Sequence, residues 1–341
     1  METGISYFGN RMPKHIAKDL VDIKKHNCTY VLHTCSEIDQ AYYPGTMKEI
    51  VKISHDSGLK VQMNSWAVGG VFGGEAYSLF VMQNSNEVQE LSNGKKLPAA
   101  CLNSKKFRIF LKQFIGNCVS YGIDTFFWDE PHFYLPWHFG DAPGDYGCFC
   151  PNCKKLYREQ YGKAMPKKQD RTVDEFREKC VASLLNEINP VLKRGRVEGA
   201  ICVLPKLIEG ENSGTGDWDR VASLKGIDLF ATDPYWTMHL KRPGFNVEEF
   251  VRRNTVNALA AAKKYRKKAG VWVQCYSIKK GEEYNLETAV RTAFDCGARD
   301  IAAWGYGGAS YMSQLACGRP QYCWDMLGEL YKECRSKSKS L

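Results

Sequence analysis

Ile123-Asp124-Thr125-Phe126-Phe127-Trp128-Asp129-Glu130-Pro131-His132 reads as a buried strand that stops on two acids. A run of β-branched and aromatic side chains follows Gly122 and gives way to Asp129, Glu130 and a proline that cannot donate to a ladder. The same unit recurs along the chain. Short apolar runs at 4–9, 29–36, 59–66, 123–128, 199–204, 227–232, 270–276 and 300–305 predict strands. Segments of 3.6-residue period follow most of them, as at 14–25, 104–121, 173–193, 247–268 and 323–333. Eight strand–helix pairs predict an α/β chain closed into a (β/α)8 barrel, with residues 1–341 as a single domain.

Connection lengths support closure. Glycine at 58, 122, 226, 270 and 297 is expected to end helices in the left-handed conformation just before a strand. The opposite connections are long, with about 37 residues between Trp66 and Ser104 and about 43 between Trp128 and Thr172. In a parallel barrel these third and fourth βα loops emerge at one mouth, the face where such barrels build their sites. A doubly wound open sheet is the alternative, but the first strand is followed by GISYFGNR (4–11), without a phosphate-binding glycine pattern. No linker, charge block or repeat marks a second domain.

The 341 residues carry 47 Lys and Arg against 38 Asp and Glu, with 44% hydrophobic and 25% charged, which excludes disordered and collagen-like classes. The formal charge of +9 is scattered over helix faces and the tail at Lys332 and 335–339, so no nucleic-acid partner is expected. Met1-Glu2-Thr3 opens without a basic or apolar leader, and no run of about 18 uncharged apolar residues occurs; neither export nor a membrane span is expected. Fourteen cysteines, many within apolar strands, point to reduced core thiols and a cytoplasmic location. The composition is compatible with a homo-oligomer.

Cys148-Phe149-Cys150-Pro151-Asn152-Cys153 sets three thiols in six residues, and Cys101 precedes the helix before the fourth strand. Four soft ligands suit a closed, structural zinc site, with the metal about 2.3 Å from each sulfur. Such a subsite over 101–153 would tie the third and fourth loops together beside the mouth. Unligated buried thiols are the plainer alternative.

Asp129 and Glu130 end the fourth strand, and period two is expected to send them to opposite sides. The sixth strand ends similarly, in Asp233-Pro234-Tyr235-Trp236. Other strand ends supply His33, Asn64, Trp66, His132, Gln274 and Trp304. Acids beside aromatics suit sugars, whose ring faces stack on indole or phenol while their hydroxyls bond to charged groups. Each residue alone has a plain structural role open to it; His33 in particular suits a core histidine.

These stretches resemble the clan A glycoside hydrolases, especially the family 42 β-galactosidases. GISYFGNRMP (4–13), FFWDE (126–130), CFCPNCKKLYREQYG (148–162) and DLFATDPYW (228–236) carry the resemblance, with Trp304 where the eighth strand of that clan holds an aromatic. The resemblance implies a retaining enzyme on a (β/α)8 barrel, carbohydrate as substrate, Glu130 as general acid/base, and Cys101, Cys148, Cys150 and Cys153 as zinc ligands. It breaks in three places. Asp129 stands where the family has asparagine, Gln274 stands on the seventh strand where the family keeps its nucleophilic glutamate, and the accessory C-terminal domains are missing.

Glycoside hydrolysis needs a second carboxylate. Asp233 is the first candidate, then Asp129, then Glu209, Glu211, Glu282 or Glu283 from the mouth loops. The loss at Gln274 inclines the expectation toward inversion or a substrate-assisted variant. The competing class is a catalytically inactive sugar-binding barrel. Metal-dependent hydrolysis is disfavoured, because only His33 and His132 lie near the mouth.

Overall fold

The computed structural model describes residues 1–134, 144–206 and 214–339. Ten strands run in chain order as β1 (Glu2–Tyr7), β2 (Tyr30–Cys35), β3 (Lys60–Ser65), β4 (Val88–Glu90), β5 (Lys96–Ala100), β6 (Thr125–Asp129), β7 (Glu198–Val203), β8 (Leu229–Thr232), β9 (Lys268–Gln274) and β10 (Asp300–Trp304). Eight of them close into a parallel barrel of order β1-β10-β9-β8-β7-β6-β3-β2, while β4 and β5 form a separate antiparallel pair. Sheet closure leaves no unpaired edge among the barrel strands.

Period two sorts the strand residues into two environments. Leu32, Phe127, Ala200, Cys202, Leu229, Ala231, Trp272 and Ala302 fill the barrel interior. Their neighbours Val31, Phe126, Trp128, Ile201, Phe230, Val271 and Ile301 pack outward in the larger core shared with the helices. Small residues on β7, β8 and β10 leave space for the rings of Phe127 and Trp272, whose centroids are 5.1 Å apart. At the lower end Tyr30 lies across β1, where a Cβ on Gly4 would fall 2.1 Å from the phenol ring. The Tyr30 hydroxyl donates to buried Asp300 at 2.8 Å.

Gly58, Gly122, Gly226 and Gly297 have φ between +72° and +104° at the ends of helices, as expected. Gly270 does not: it lies within β9, and Arg266, at φ +58°, makes the turn after the helix Val247–Lys264 instead. Gly270 is needed for space, since a Cβ there would lie 3.2 Å from Leu229 and 3.3 Å from Ala231. The continuous helix expected over 173–193 is two helices, Arg171–Ile188 and Pro190–Gly195. Pro190 has no N–H for a helical bond and starts the second helix instead.

The two long loops are built on one another. The third holds the helix Leu79–Gln83 and the β4–β5 pair; the fourth holds the helix Pro151–Tyr161. The Phe149 N–H donates to the Glu90 carbonyl at 2.7 Å and the Ser92 N–H to the Tyr146 carbonyl at 3.1 Å. Buried Gln89 joins them again, donating to the Ala100 carbonyl and accepting from the Tyr134 N–H, each at 3.1 Å. Among the described residues no helix is long and apolar enough to cross a membrane.

Candidate active site

Asp129 is the last residue of β6 and shares the inward alternation of Phe127. Asn64 Nδ2, from the end of β3, donates to its Oδ2 at 2.8 Å. Burial, reinforced by the charges of Glu130 and Glu75 and opposed by the Asn64 bond, pushes the Asp129 carboxyl up to about 7.

Glu130 breaks the strand geometry. Its φ of +41° lies in the left-handed region, which costs a side-chain-bearing residue about 1–3 kcal/mol. Hydrogen bonds on both sides hold it there. Its N–H donates to the Cys202 carbonyl at 3.1 Å, and the His132 N–H donates to the Val71 carbonyl at 3.0 Å. The Glu130 carbonyl accepts from His132 Nδ1 at 2.5 Å, which fixes that ring nitrogen as the protonated one. The Glu130 carboxyl is near enough to Asp129 for like charge to act between them, and it lies within hydrogen-bonding reach of Asp233, just beyond β8.

Asp233 is 4% exposed, and its Oδ1 has no partner among the described residues. Burial, then the charge of Glu130 and the shared hydrogen bond, hold its carboxyl well above the usual carboxylate range. No Lys or Arg among the described residues forms an ion pair with Asp129, Glu130 or Asp233.

Aromatic rings wall this cluster. Phe8 stacks on Trp304 at 4.5 Å and on Trp66 at 5.7 Å, and the two indoles lie nearly parallel, 6.3 Å apart with a 10° interplanar angle. Tyr276 meets Trp304 edge-on at 4.8 Å and Tyr235 at 5.4 Å. A cavity of about 630 Å³ opens beside the indoles, with Tyr7, Phe8, Trp66, Glu75, Tyr306 and Tyr311 in its lining.

Three of the expected mouth residues lie elsewhere or are occupied. His33 is 1% exposed and faces the helix Pro44–Asp56, with Nε2 on the Ser54 hydroxyl at 2.8 Å; burial lowers its pKa to about 3. It sits one residue out of phase with the inward-facing positions of β2. Trp236 is 1% exposed in the outer core, past the turn that follows Asp233. Gln274 is fully engaged: Oε1 accepts from the N–H groups of Trp236 and Thr237 at 2.9 and 3.1 Å, while Nε2 donates to the Tyr276 carbonyl at 2.8 Å and to the Thr237 hydroxyl. It fastens the loop after β8 to the end of β9.

Among the further acids, Glu283 is bound to Arg319 at 2.6 Å and accepts from the Gly281 N–H; the guanidinium holds its carboxyl down at about 2. The Glu282 N–H closes a turn onto the Lys279 carbonyl. Glu209 and Glu211 lie outside the described residues. Phe8 and Tyr276 could have been found by carrying period two one step past β1 and β9. Glu75, in the third loop, has no local pattern to mark it.

Cys101, Cys148, Cys150 and Cys153 bring their sulfurs within 4.8 Å of one another, all buried. Cys101 Sγ lies 3.7 Å from Cys150 Sγ and 3.6 Å from Cys153 Sγ. Metal–sulfur bonds of about 2.3 Å in a tetrahedron put the sulfurs about 3.8 Å apart, so the set fits a metal ion with no open position. Cys150 is also the residue that caps the helix Pro151–Tyr161, and Asn103 Nδ2 donates to Cys153 Sγ at 3.3 Å. Among the described residues this is the group of three or more potential ligands close enough to share an ion, so the mouth carboxylates form no such cluster.

Neither a scan of known protein families nor a search of curated proteins gives a match. Solved structures do match in fold. A GH42 β-galactosidase from G. stearothermophilus superposes with a TM-score of 0.74 at 10% identity over 99% of this chain, which spans 57% of that protein's length. An endo-1,4-β-mannanase from Rhizomucor miehei gives 0.65 at 12% identity, covering 98% of this chain and 95% of its own. A GH5_18 protein from Bifidobacterium longum, solved with Manβ1-4GlcNAc, gives 0.64 at 11% identity, covering 98% and 79%. The chain therefore shares with these proteins the closed (β/α)8 barrel fold.

Two outcomes follow from the geometry. The purified protein is expected to hold about one metal ion per chain, and Cys153→Ser to lose it and melt several degrees lower; full metal content in that variant by elemental analysis would contradict the four-thiol site. Asp129 binds its proton more tightly folded than unfolded, so its contribution to stability is present at low pH and lost as pH rises through about 7. Asp129→Asn should raise the melting temperature by a few degrees at pH 8 and change it little at pH 4, whereas an equal shift at both would show that the carboxyl titrates normally.

Proposed function

We propose that the barrel mouth hydrolyses a glycosidic bond in an oligosaccharide or small glycoside, with Glu130 as the general acid. The observation that carries this is the contact between the Glu130 and Asp233 carboxyls inside an aromatic cup. Burial and the neighbouring Glu130 charge favour the protonated form of Asp233, which places a proton beside Glu130. A departing glycosidic oxygen needs such a proton. Asp233 acts through Glu130 in this scheme, because contact is closer than the roughly 5–5.5 Å or 6.5–9.5 Å that separates carboxyls working across a sugar. Asp129 and Asn64 offer acceptors to hydroxyls, with Asn64 Oδ1 buried and unpartnered. Trp66 and Trp304 offer a flat surface for a sugar face.

The fold shared with known glycoside hydrolases supports this assignment, although their activities belong to proteins only 10–12% identical. Zinc suits the all-sulfur site, where it would brace the loops beside the mouth without touching substrate. Fourteen free thiols favour a reducing compartment.

One observation favours a second reading, a barrel that binds sugar without cleaving it. The Gln274 amide stands on the strand from which clan A barrels supply a nucleophile, and all its hydrogen bonds are spent on backbone and Thr237. Reducing-sugar release and calorimetry on a panel of oligosaccharides separate the two. Hydrolysis is expected in the wild type, and Glu130→Gln should lower kcat by roughly 10²–10⁴-fold while still unfolding cooperatively and binding the same glycans. Glycan binding with no release over long incubation would establish the non-catalytic reading, and full activity in Glu130→Gln would remove Glu130 from the chemistry.

A further inference from the structure

The third βα loop is pressed flat against the wall of the mouth by two glycines. A Cβ on Gly73 would lie 2.9 Å from the carboxyl carbon of Asp129, and one on Gly74, at φ +124°, would lie 2.6 Å from the Trp66 indole. Neither position admits a side chain without displacing the wall. The Gly73 N–H donates to the Asp129 carbonyl at 2.9 Å, and the Gly73 carbonyl accepts from the Ala67 N–H at 2.8 Å. The loop is thus fixed both to the tip of β6 and to its own start. Its next residue, Glu75, lines the open cavity beside Trp66, Phe8 and Tyr311.

Glu75 is placed differently from Asp233, Asp129 and Glu283. Asp233 is in contact with Glu130, Asp129 is bound by Asn64, and Glu283 is bound by Arg319. Among the described residues the Glu75 carboxyl accepts from its own N–H and forms no hydrogen bond or ion pair with another side chain, yet it is near enough to Glu130, Asp129 and Tyr276 for charge to act between them. Tyr276 stands just past β9, the strand on which Gln274 takes the place of a carboxylate. A carboxylate near the acid but out of contact with it leaves room for reacting atoms between the two.

We propose that Glu75 is the second catalytic carboxylate, the base that activates water, supplied by a loop rather than by a barrel strand. The proposal rests on the glycosidase function above. In the step, the water oxygen bonds to the anomeric carbon while the bond from that carbon to the bridging oxygen breaks. One water proton passes to Glu75, and the Glu130 proton passes to the departing oxygen. One water is consumed, and the products are a sugar of inverted configuration and the free alcohol. Proton exchange with solvent restores both carboxyls.

The test uses the full chain with aryl glycosides, proton NMR of the released sugar, and azide as an external nucleophile. The wild type is expected to release the inverted anomer. Glu75→Ala should lower kcat by roughly 10²–10⁴-fold, and azide should restore at least tenfold of the loss by forming a glycosyl azide of inverted configuration. A merely structural role for Glu75 would show no such rescue. Wild-type turnover with Glu75→Ala above a tenth of normal, with net retention, or without azide rescue overturns the proposal and leaves the glycosidase function standing. A wild type that cleaves no glycoside removes both.

Discussion

Two carboxyls within reach of one another, with no Lys or Arg among the described residues paired to either, are the constraint around which this mouth is built. Glu130 and Asp233 come from barrel strands that are not adjacent, and Asp129 adds a third acid beside them. Burying such groups is unfavourable unless protons are retained, which is why Asp129 titrates near 7 and Asp233 well above its usual range. The left-handed Glu130 makes the same point through the backbone. It is held by hydrogen bonds to the Cys202 carbonyl and from His132. Strain and like charge meet at one residue, a combination that belongs with function more than with stability.

The rest of the architecture holds that cluster in place. Strand closure and the small residues of β7, β8 and β10 leave a stable floor below it, while the third and fourth loops form its rim. Those loops are joined by backbone bonds, by Gln89 and by the four-thiol site. The thiol cluster brings the loop that carries Cys148, Cys150 and Cys153 against the one that carries Glu75 and Cys101. Gln274 does corresponding work on the opposite side, tying the loop after β8 to β9.

Much of this was legible in the residues because it depends on local pattern. The apolar runs mark the barrel strands to within a few residues, and the tight spacing of three cysteines marks one loop as a ligand set. Asp129, Glu130, Asp233, Asn64, Trp66 and Trp304 follow from asking what stands at strand ends. His33 and Trp236 show the limit of that rule, since one residue of phase decides between mouth and outer core. The β4–β5 pair is too short and too polar to announce itself. Glu75 is the plainest omission: its place depends on Gly73 and Gly74 touching Asp129 and Trp66, contacts that exist only after the barrel has closed.

Infrared difference spectroscopy observes directly the proton that burial and like charge favour on Asp233 beside Glu130. At neutral pH the wild type should show the carbonyl stretch of a buried, hydrogen-bonded carboxylic acid that shifts or disappears in Asp233→Asn, with the remaining spectrum unchanged. A wild-type spectrum in which Glu130 and Asp233 are both fully ionised at that pH would contradict it.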